Sequence, residues 1–264
     1  MRRLSLFIPV LLLVVAAAPA VALSNSPYLV PGAFDAIHLL PPPPAPDSAA
    51  QREDIEGVLQ AQRTSTPERM RLAEEDARVG LIRFATALGP QFAPDKMPTL
   101  AAFFAKVGRD INPPVTLAKD CWERPRPFVV DSHVHPPGQM QQDTANRPGA
   151  QSSSSVPHDA ASPCRPAESS PAYSYSYPSG HSTFGAMTAI LLANMIPEKR
   201  SELFARGWQF GESRVVGGVH FPTDVEAGRI EATAMVALMM QSPEFRADLA
   251  AARAELRRTL GFPQ

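Results

Sequence analysis

Residues 177–185 read Tyr-Pro-Ser-Gly-His-Ser-Thr-Phe-Gly and mark the point where a stretch rich in serine and proline gives way to an apolar helix. Ser179 is a typical helix N-cap, and the apolar residues after it predict a helix over 180–196. Further helical patterns follow over 198–216, 223–240 and 243–260, and convincing strand alternation is missing. This half of the chain therefore predicts helices that pack on one another.

The first half of the chain adds further helical patterns. Helices are predicted over 48–65, 67–88, 99–107 and 115–122, and Asn112-Pro113-Pro114 is expected to separate the last two. No internal repeat and no linker between two cores is visible. We expect an all-α fold, a single-domain compact helical bundle with one long irregular loop over 128–177.

The N-terminus has the pattern of an export signal. Met1-Arg2-Arg3 is positively charged, residues 4–15 are apolar, and small residues precede a cleavage site expected after Ala22. An uncleaved anchor is the alternative, but the apolar stretch is short and ends in Ala-Pro-Ala. We predict a signal peptide over 1–22, a mature domain over 23–264 that starts with an extended proline-rich arm over 23–47, and a periplasmic location.

Composition narrows the choice of partners. The net charge of −1 gives no reason to expect nucleic acid as a partner. No segment of the mature chain is apolar for the roughly 18 residues that a spanning helix needs. The 29 prolines cluster and mark loops rather than disorder of the whole chain. A homo-oligomer is possible.

The two cysteines, Cys121 and Cys164, are the only ones in the chain. An exported protein is exposed to an oxidising compartment, which favours joining them in a disulfide. Two buried free thiols are the alternative. A bridge would hold the long loop beside Cys121.

Cations are concentrated where the helix over 115–122 must end. Lys119 lies in its last turn, and the prolines after Arg124 and Arg126 push both arginines into extended conformations. Alternate residues of an extended segment share a side, so the two arginines could point the same way. Taken alone, this cluster also fits a solvated basic helix end.

Two further clusters lie at helix starts. At the first, Ser179 and Gly180 present unpaired backbone N–H groups that suit an anion, next to the titratable His181. At the second, Arg214 precedes Gly217-Gly218, and His220 lies four residues before Asp224, whose carboxylate could fix the imidazole tautomer. Each cluster alone also fits a purely structural cap or loop tie. Together they supply the cations, the nucleophile and the acid that phosphoryl transfer requires.

In order, the three clusters match the motif Lys-x6-Arg-Pro, Pro-Ser-Gly-His, Ser-Arg-x5-His-x3-Asp. The matching residues span Lys119 to Asp224, and every motif position is filled. The chain thus resembles the bacterial class A non-specific acid phosphatases, in the superfamily of type 2 phosphatidic acid phosphatases and vanadium haloperoxidases. The spacing in the first cluster selects Arg126 and leaves Arg124 as second choice.

The resemblance implies a role for each matched residue. His220 would be the nucleophile that forms a phosphohistidine, Asp224 its orienting partner, and His181 the acid for the leaving alcohol. The phosphate would be bound by five residues: Lys119, Arg126, Ser179, Gly180 and Arg214. The resemblance implies small phosphate esters as substrates, broad specificity, and no cofactor or metal.

Two other functions are alternatives to an exported acid phosphatase. A vanadate-dependent haloperoxidase would use the same kind of anion cage, and a non-catalytic phosphate-binding protein would use the same cations and helix ends. The binding protein would not need both histidines and Asp224. A metal site at His133, His135 and His158 is disfavoured, because no carboxylate or cysteine set completes it.

Overall fold

The computed structural model describes residues 28–30, 32–138, 140 and 175–263. Within these residues the regular structure is helical and no strand occurs, so the predicted all-α fold is confirmed. The α-helices are α1 (Ala36–Leu39), α2 (Ala49–Thr64), α3 (Pro67–Glu75), α4 (Ala85–Leu88), α5 (Pro98–Trp122), α6 (Pro127–Val130), α7 (Gly180–Met195), α8 (Arg200–Val216), α9 (Pro222–Met239) and α10 (Pro243–Leu260). Short 3-10 turns cover Leu81–Phe84, Pro94–Lys96 and Pro197–Lys199.

Helix α7 lies at the centre of the bundle and packs against α5, α8, α9 and α10. Its side chains Met187, Leu191, Leu192 and Met195 are all fully buried. A helix that is apolar on every side is a core helix, because no face of it is suited to water. The motif residues at its N-terminus are therefore held by the most buried element of the fold.

The contact between α7 and α8 depends on two glycines. A Cβ atom at Gly207 would lie 2.7 Å from the carbonyl oxygen of Gly185 and 2.5 Å from the Cβ atom of Ala189. Real Cβ atoms do not approach that closely, so a side chain here would force the helices apart. The two glycines set the distance between the helices that carry the second and third motif clusters.

Helix α5 corrects one expectation. The predicted break at Pro113 and Pro114 does not occur, and the helix runs without interruption from Pro98 to Trp122. A proline inside a helix costs about 3 kcal/mol. Ile111 and Val115, on either side of the pair, are each about 5% exposed. Burial of the apolar side chains along α5, at roughly 1.5–3 kcal/mol each, outweighs the cost of the prolines.

The segment over 67–88 corrects a second expectation, since the predicted single helix ends at Glu75. Asp76 is fully buried there and its carboxylate accepts hydrogen bonds from Arg206. The chain then continues through a 3-10 turn into α4. A buried ion pair, which helical periodicity does not reveal, ends the helix.

The N-terminal arm lies on the bundle, although it contains the short helix α1 before its run of prolines instead of being extended throughout. The Tyr28 hydroxyl donates to Asp248 Oδ2 at 2.8 Å, and the Tyr177 hydroxyl donates to the carbonyl oxygen of Pro41. The second bond ties the arm to the start of the YPSGHSTFG stretch. None of the helices in the described ranges has both the length and the apolar character of a membrane span.

Candidate active site

His220 lies between a carboxylate and a guanidinium, two residues before α9 begins. Its Nδ1 atom is 3.3 Å from Asp224 Oδ2, and its Nε2 atom is 3.2 Å from Arg126 Nη1. A carboxylate only accepts hydrogen bonds and a guanidinium only donates them, so Nδ1 carries the proton and Nε2 the lone pair. All three side chains are at most 3% exposed. The predicted pairing of His220 with Asp224 is present, and the uncharged ring presents its lone pair next to a cation.

Arg124 is bound to carboxylates on both sides. Its Nη1 donates to Asp224 Oδ1 at 2.6 Å and to Thr223 Oγ1 at 2.7 Å, and its Nη2 donates to Asp54 Oδ2 at 2.7 Å. The guanidinium carbon also lies 3.9 Å from the ring centroid of Phe221. Arg124 thus fixes Asp224 from behind, while Arg126 lies on the imidazole side.

Lys119 and Arg126 converge on one oxygen atom. The Lys119 ammonium donates to the Tyr175 carbonyl at 2.5 Å, and Arg126 Nη2 donates to the same oxygen at 3.2 Å. Arg126 Nη1 also donates to the Val219 carbonyl at 2.5 Å. Both side chains are buried. Their donors therefore meet at a single acceptor position next to His220.

The first turn of α7 is attached to α9. Ser179 is fully buried, its N–H donates to the Asp224 carbonyl at 3.0 Å, and its Oγ accepts from Ser182 N at 3.3 Å. Gly228 permits the contact, because a Cβ atom there would lie 2.6 Å from the Ser179 carbonyl oxygen. Gly180, the first helical residue, is partly exposed. The helix start is brought to the element that carries His220 and Asp224.

His181 is oriented from the other side. Its Nε2 lies 2.9 Å from the Ala77 carbonyl, and its ring stacks on Phe210 with centroids 5.8 Å apart. A carbonyl oxygen accepts only, so Nε2 carries a proton and Nδ1 is the atom whose protonation state can change. The ring is partly buried.

Arg214 contributes its backbone as well as its charge. Its carbonyl oxygen accepts from the backbone N–H groups of Val219 and His220, at 3.1 and 3.2 Å. The side chain is about 2% exposed. The preceding Ser213 donates to Asp76 Oδ2 at 2.7 Å, which connects this turn to the segment that orients His181.

The site residues thus come together from α5, α7, α8, α9 and the segments that adjoin them, and the chain is similar to known proteins. Residues 99–248 match the family profile described as the PAP2 superfamily. The chain is 29% identical over 270 residues to a non-specific acid phosphatase of Salmonella typhimurium, covering 97% of this chain and 92% of the relative. It is 31% identical to a non-specific acid phosphatase of Salmonella typhi (82% and 78% covered) and 30% identical to an acid phosphatase of Zymomonas mobilis (84% and 75% covered). The chain belongs to the PAP2 superfamily.

In this PAP2 protein the resemblance to class A non-specific acid phosphatases is confirmed at the level of the family. The third motif cluster, Arg214 to Asp224, runs from the last turn of α8 into the first turn of α9 and lies inside the matched region. So do Lys119 and Arg126 of the first cluster and Ser179, Gly180 and His181 of the second. The matched segment thus contains every predicted catalytic and phosphate-binding residue.

Sequence reasoning missed four buried polar residues that support the site of this PAP2 protein. Gln51 and Asp54 of α2 both accept from Arg124, and Asp76 accepts from Ser213 and Arg206. Glu231 of α9 shares a hydrogen bond of 2.8 Å with the Thr183 hydroxyl. Burial raises the pKa of Glu231 to about 7, against the opposing effects of the Thr183 hydrogen bond and of Lys119. Gln51, Asp54 and Asp76 lie on or next to helices that are rich in charged residues, which is typical of helices exposed to solvent. Glu231 shares its helix with Asp224, Glu226 and Arg229, so the sequence pattern does not single it out as the buried acid.

The described residues include only some of the other predicted positions. Cys121 is fully buried at the end of α5, and Cys164 lies outside the described residues, so the disulfide stays a prediction. His133 pairs with Asp131 on the surface at 2.8 Å. His158, residues 1–22 and most of the long loop also lie outside the described residues.

Proposed function

We propose that this protein hydrolyses phosphate monoesters at the site built around His220. Membership of the PAP2 superfamily and the acid phosphatase names of its relatives support the reaction class. The observation that carries the proposal is the orientation of His220, with Nδ1 on Asp224 and Nε2 facing Arg126. That arrangement turns a lone pair toward the position where cations would hold a phosphoryl group.

In the first step, the lone pair of His220 Nε2 attacks phosphorus. The bond between phosphorus and the ester oxygen breaks, and the leaving alkoxide takes a proton from Nδ1 of protonated His181. Asp224 stabilises the positive charge that develops on the His220 ring through the Nδ1 hydrogen bond. The result is a phosphohistidine and a free alcohol.

In the second step, His181 accepts a proton from water as the water oxygen attacks phosphorus. The bond between phosphorus and His220 Nε2 breaks, inorganic phosphate leaves, and His181 is protonated again for the next cycle. Each histidine ends in its starting state. The cycle therefore consumes one ester and one water and needs no other reactant.

The phosphate oxygens are proposed to bind Lys119, Arg126, Arg214, Ser179 and Gly180. The convergence of Lys119 and Arg126 on the Tyr175 carbonyl supports this role, because the same two donors could grip one phosphate oxygen. The positive end of the α7 dipole and the N–H of Gly180 would add to the attraction. These fixed cations would spread the transition-state charge over the equatorial oxygens.

The decisive experiment compares His220→Ala with the wild-type protein on a chromogenic phosphate monoester. We expect kcat to fall by about a thousandfold or more, with binding of inorganic phosphate retained. His38→Ala is the matched control, since the His38 side chain is 73% exposed on the surface. Full turnover in His220→Ala would refute the mechanism.

Vanadate separates phosphatase from haloperoxidase. It resembles the transition state of phosphoryl transfer, so it should inhibit ester hydrolysis competitively. Trapping with a labelled substrate should give an acid-labile, base-stable phosphoenzyme. Halide oxidation in the presence of vanadate and peroxide would instead favour the peroxidase.

Export, broad specificity and the disulfide complete the proposal. We expect a mature protein that starts at residue 23 in the periplasmic fraction, with Cys121 and Cys164 joined. Intact mass before and after reduction and alkylation measures both the cleavage site and the bridge. Thiols that react with alkylating agent in the unreduced, unfolded protein would disprove the bridge.

A further inference from the structure

Glu231 is a fully buried acid directly behind the first turn of α7. Its Oε2 atom lies 2.8 Å from Thr183 Oγ1. Its Oε1 atom has no hydrogen-bond partner among the described residues. A buried carboxylate oxygen without a donor is costly, whereas a neutral carboxyl group tolerates the site better. The surroundings of Glu231 thus favour its protonated form.

The hydrogen-bond geometry at Thr183 favours the same form. The Thr183 hydroxyl lies within reach of two oxygens, Glu231 Oε2 at 2.8 Å and the Ser179 carbonyl at 3.1 Å, and it has one hydrogen to give. If Glu231 is protonated, it donates to Thr183, and Thr183 donates to Ser179. If Glu231 is ionised, the Thr183 hydroxyl must donate to the carboxylate, and the Ser179 carbonyl keeps only its bond from the Thr183 backbone N–H. The protonation state of Glu231 therefore decides whether the Thr183 hydroxyl donates to the carbonyl of Ser179, the N-cap residue of α7.

The charges around Glu231 connect it with the proposed phosphate site. Lys119 of α5 acts on it electrostatically, and Glu231 in turn helps to raise the pKa of Tyr177 in the loop before α7. Asp224 and Arg124 act on the same tyrosine from the start of α9 and from the end of α5. An ionised Glu231 would offset the positive charge of Lys119 and so weaken its attraction for phosphate. A neutral Glu231 leaves that attraction at full strength.

We propose that Glu231 is a positioning residue whose protonation is coupled to phosphate binding at Lys119 and Ser179. This inference rests on the proposed function, because it assumes that phosphate binds there. A bound phosphate adds negative charge near Lys119 and favours the neutral acid. By linkage, ionisation of Glu231 weakens phosphate binding, so Glu231 limits affinity on the alkaline side.

The test measures competitive inhibition by inorganic phosphate from about pH 5.5 to about pH 8 in the wild-type protein and in Glu231→Gln. The ratio of the two inhibition constants cancels the titration of phosphate and of the histidines. With a carboxyl group that titrates near pH 7, we expect the ratio of wild-type to variant inhibition constants to rise by up to about tenfold between these limits. Glu255→Gln is the control, because Glu255 accepts hydrogen bonds from the backbone at the start of α5. The ratio of the wild-type inhibition constant to that of Glu255→Gln should not change with pH.

The outcomes separate the two proposals. If phosphate inhibits both proteins with a ratio that does not change with pH, the role of Glu231 is refuted and the proposed function stands. If phosphate inhibits neither protein at any pH, the proposed function itself fails.

Infrared difference spectra of the wild-type protein test the inference without a variant. Addition of phosphate near pH 7 should increase the band of protonated carboxyl groups. Spectra without any phosphate-dependent carboxyl band would overturn the coupling.

Discussion

Replacing Asp54 by Asn should destabilise the protein strongly, although Asp54 lies on a helix far from the motif in sequence. Asp54 is about 4% exposed and accepts from Arg124 Nη2 at 2.7 Å and from Thr223 N at 3.2 Å. Removing one partner of a buried ion pair costs about 3–5 kcal/mol. Arg124 keeps its bond to Asp224, so we expect the lower end, about 3 kcal/mol. The new amide N–H2 would also face donors that need an acceptor.

Helix α2 offers a matched control in Glu56→Gln. Glu56 pairs with Arg63 at 2.5 Å, but both side chains are about 60% exposed. Exposed ion pairs contribute at most about 1 kcal/mol and often much less. Urea unfolding should therefore separate the two variants clearly. In a protein of this size, 3 kcal/mol corresponds to a drop in Tm of roughly 6–12 °C.

Asp54→Asn should also reduce turnover, because Asp54 binds Arg124 and Arg124 in turn binds Asp224. We expect kcat to fall more than KM rises, since Asp224 is proposed to act on the nucleophile rather than on substrate binding. If Asp54→Asn unfolds within about 0.5 kcal/mol of Glu56→Gln, the buried pair is not a main support of the site. That result would refute the reasoning.

Other variants test the helix contact, the buried acid and the arm. Gly207→Ala should cost about 1–3 kcal/mol, because its Cβ would lie 2.7 Å from a main-chain oxygen of α7; Gly108→Ala, with no atom within 4 Å, should be neutral or stabilising by up to about 1 kcal/mol in the same thermal melts. The pKa of Glu231 is raised from 4.5 to about 7 in the folded state, so its contribution to stability falls as pH rises between these values, by about 3 kcal/mol in total. Urea midpoints at both ends of that window should show this loss in the wild-type protein and not in Glu231→Gln. Tyr28→Phe should cost about 1–3 kcal/mol in urea unfolding, because the buried Asp248 loses a donor at 2.8 Å.

Local chemistry explains why most of the fold was predictable. Ser48 and Ser179 cap the helices that they were expected to start, and Pro222 occupies the first turn of α9. The failure at Pro113 and Pro114 has a different origin. A proline pair predicts a helix end because each proline lacks a backbone N–H and clashes with the preceding turn. In α5, burial of the neighbouring side chains outweighs this cost, and that burial depends on partner helices that the sequence does not reveal.

The site residues also divide into those that the sequence predicted and those that it did not. The motif identified His220, Asp224 and the cations because chemistry restricts which residues can occupy those positions. It gave no information on Asp54 or Asp76, because an acid on a helix is usually solvated and pattern alone does not reveal a buried partner.

Both buried acids lie outside the segment that matches the PAP2 superfamily profile, residues 99–248. Asp54 accepts hydrogen bonds from Thr223 at the start of α9 and from Arg124, which also binds Asp224. Asp76 accepts a hydrogen bond from Ser213 near the end of α8. The next residue, Ala77, provides the carbonyl that orients His181. The turn between α8 and α9 carries His220, so α2 and α3 hold it from its two ends. A pair of carboxylates at fixed positions restricts how far this turn can move relative to α7. Since phosphoryl transfer is sensitive to small changes in the distance between nucleophile and acid, the segment before residue 99 belongs to the working site as much as the segment that carries the motif.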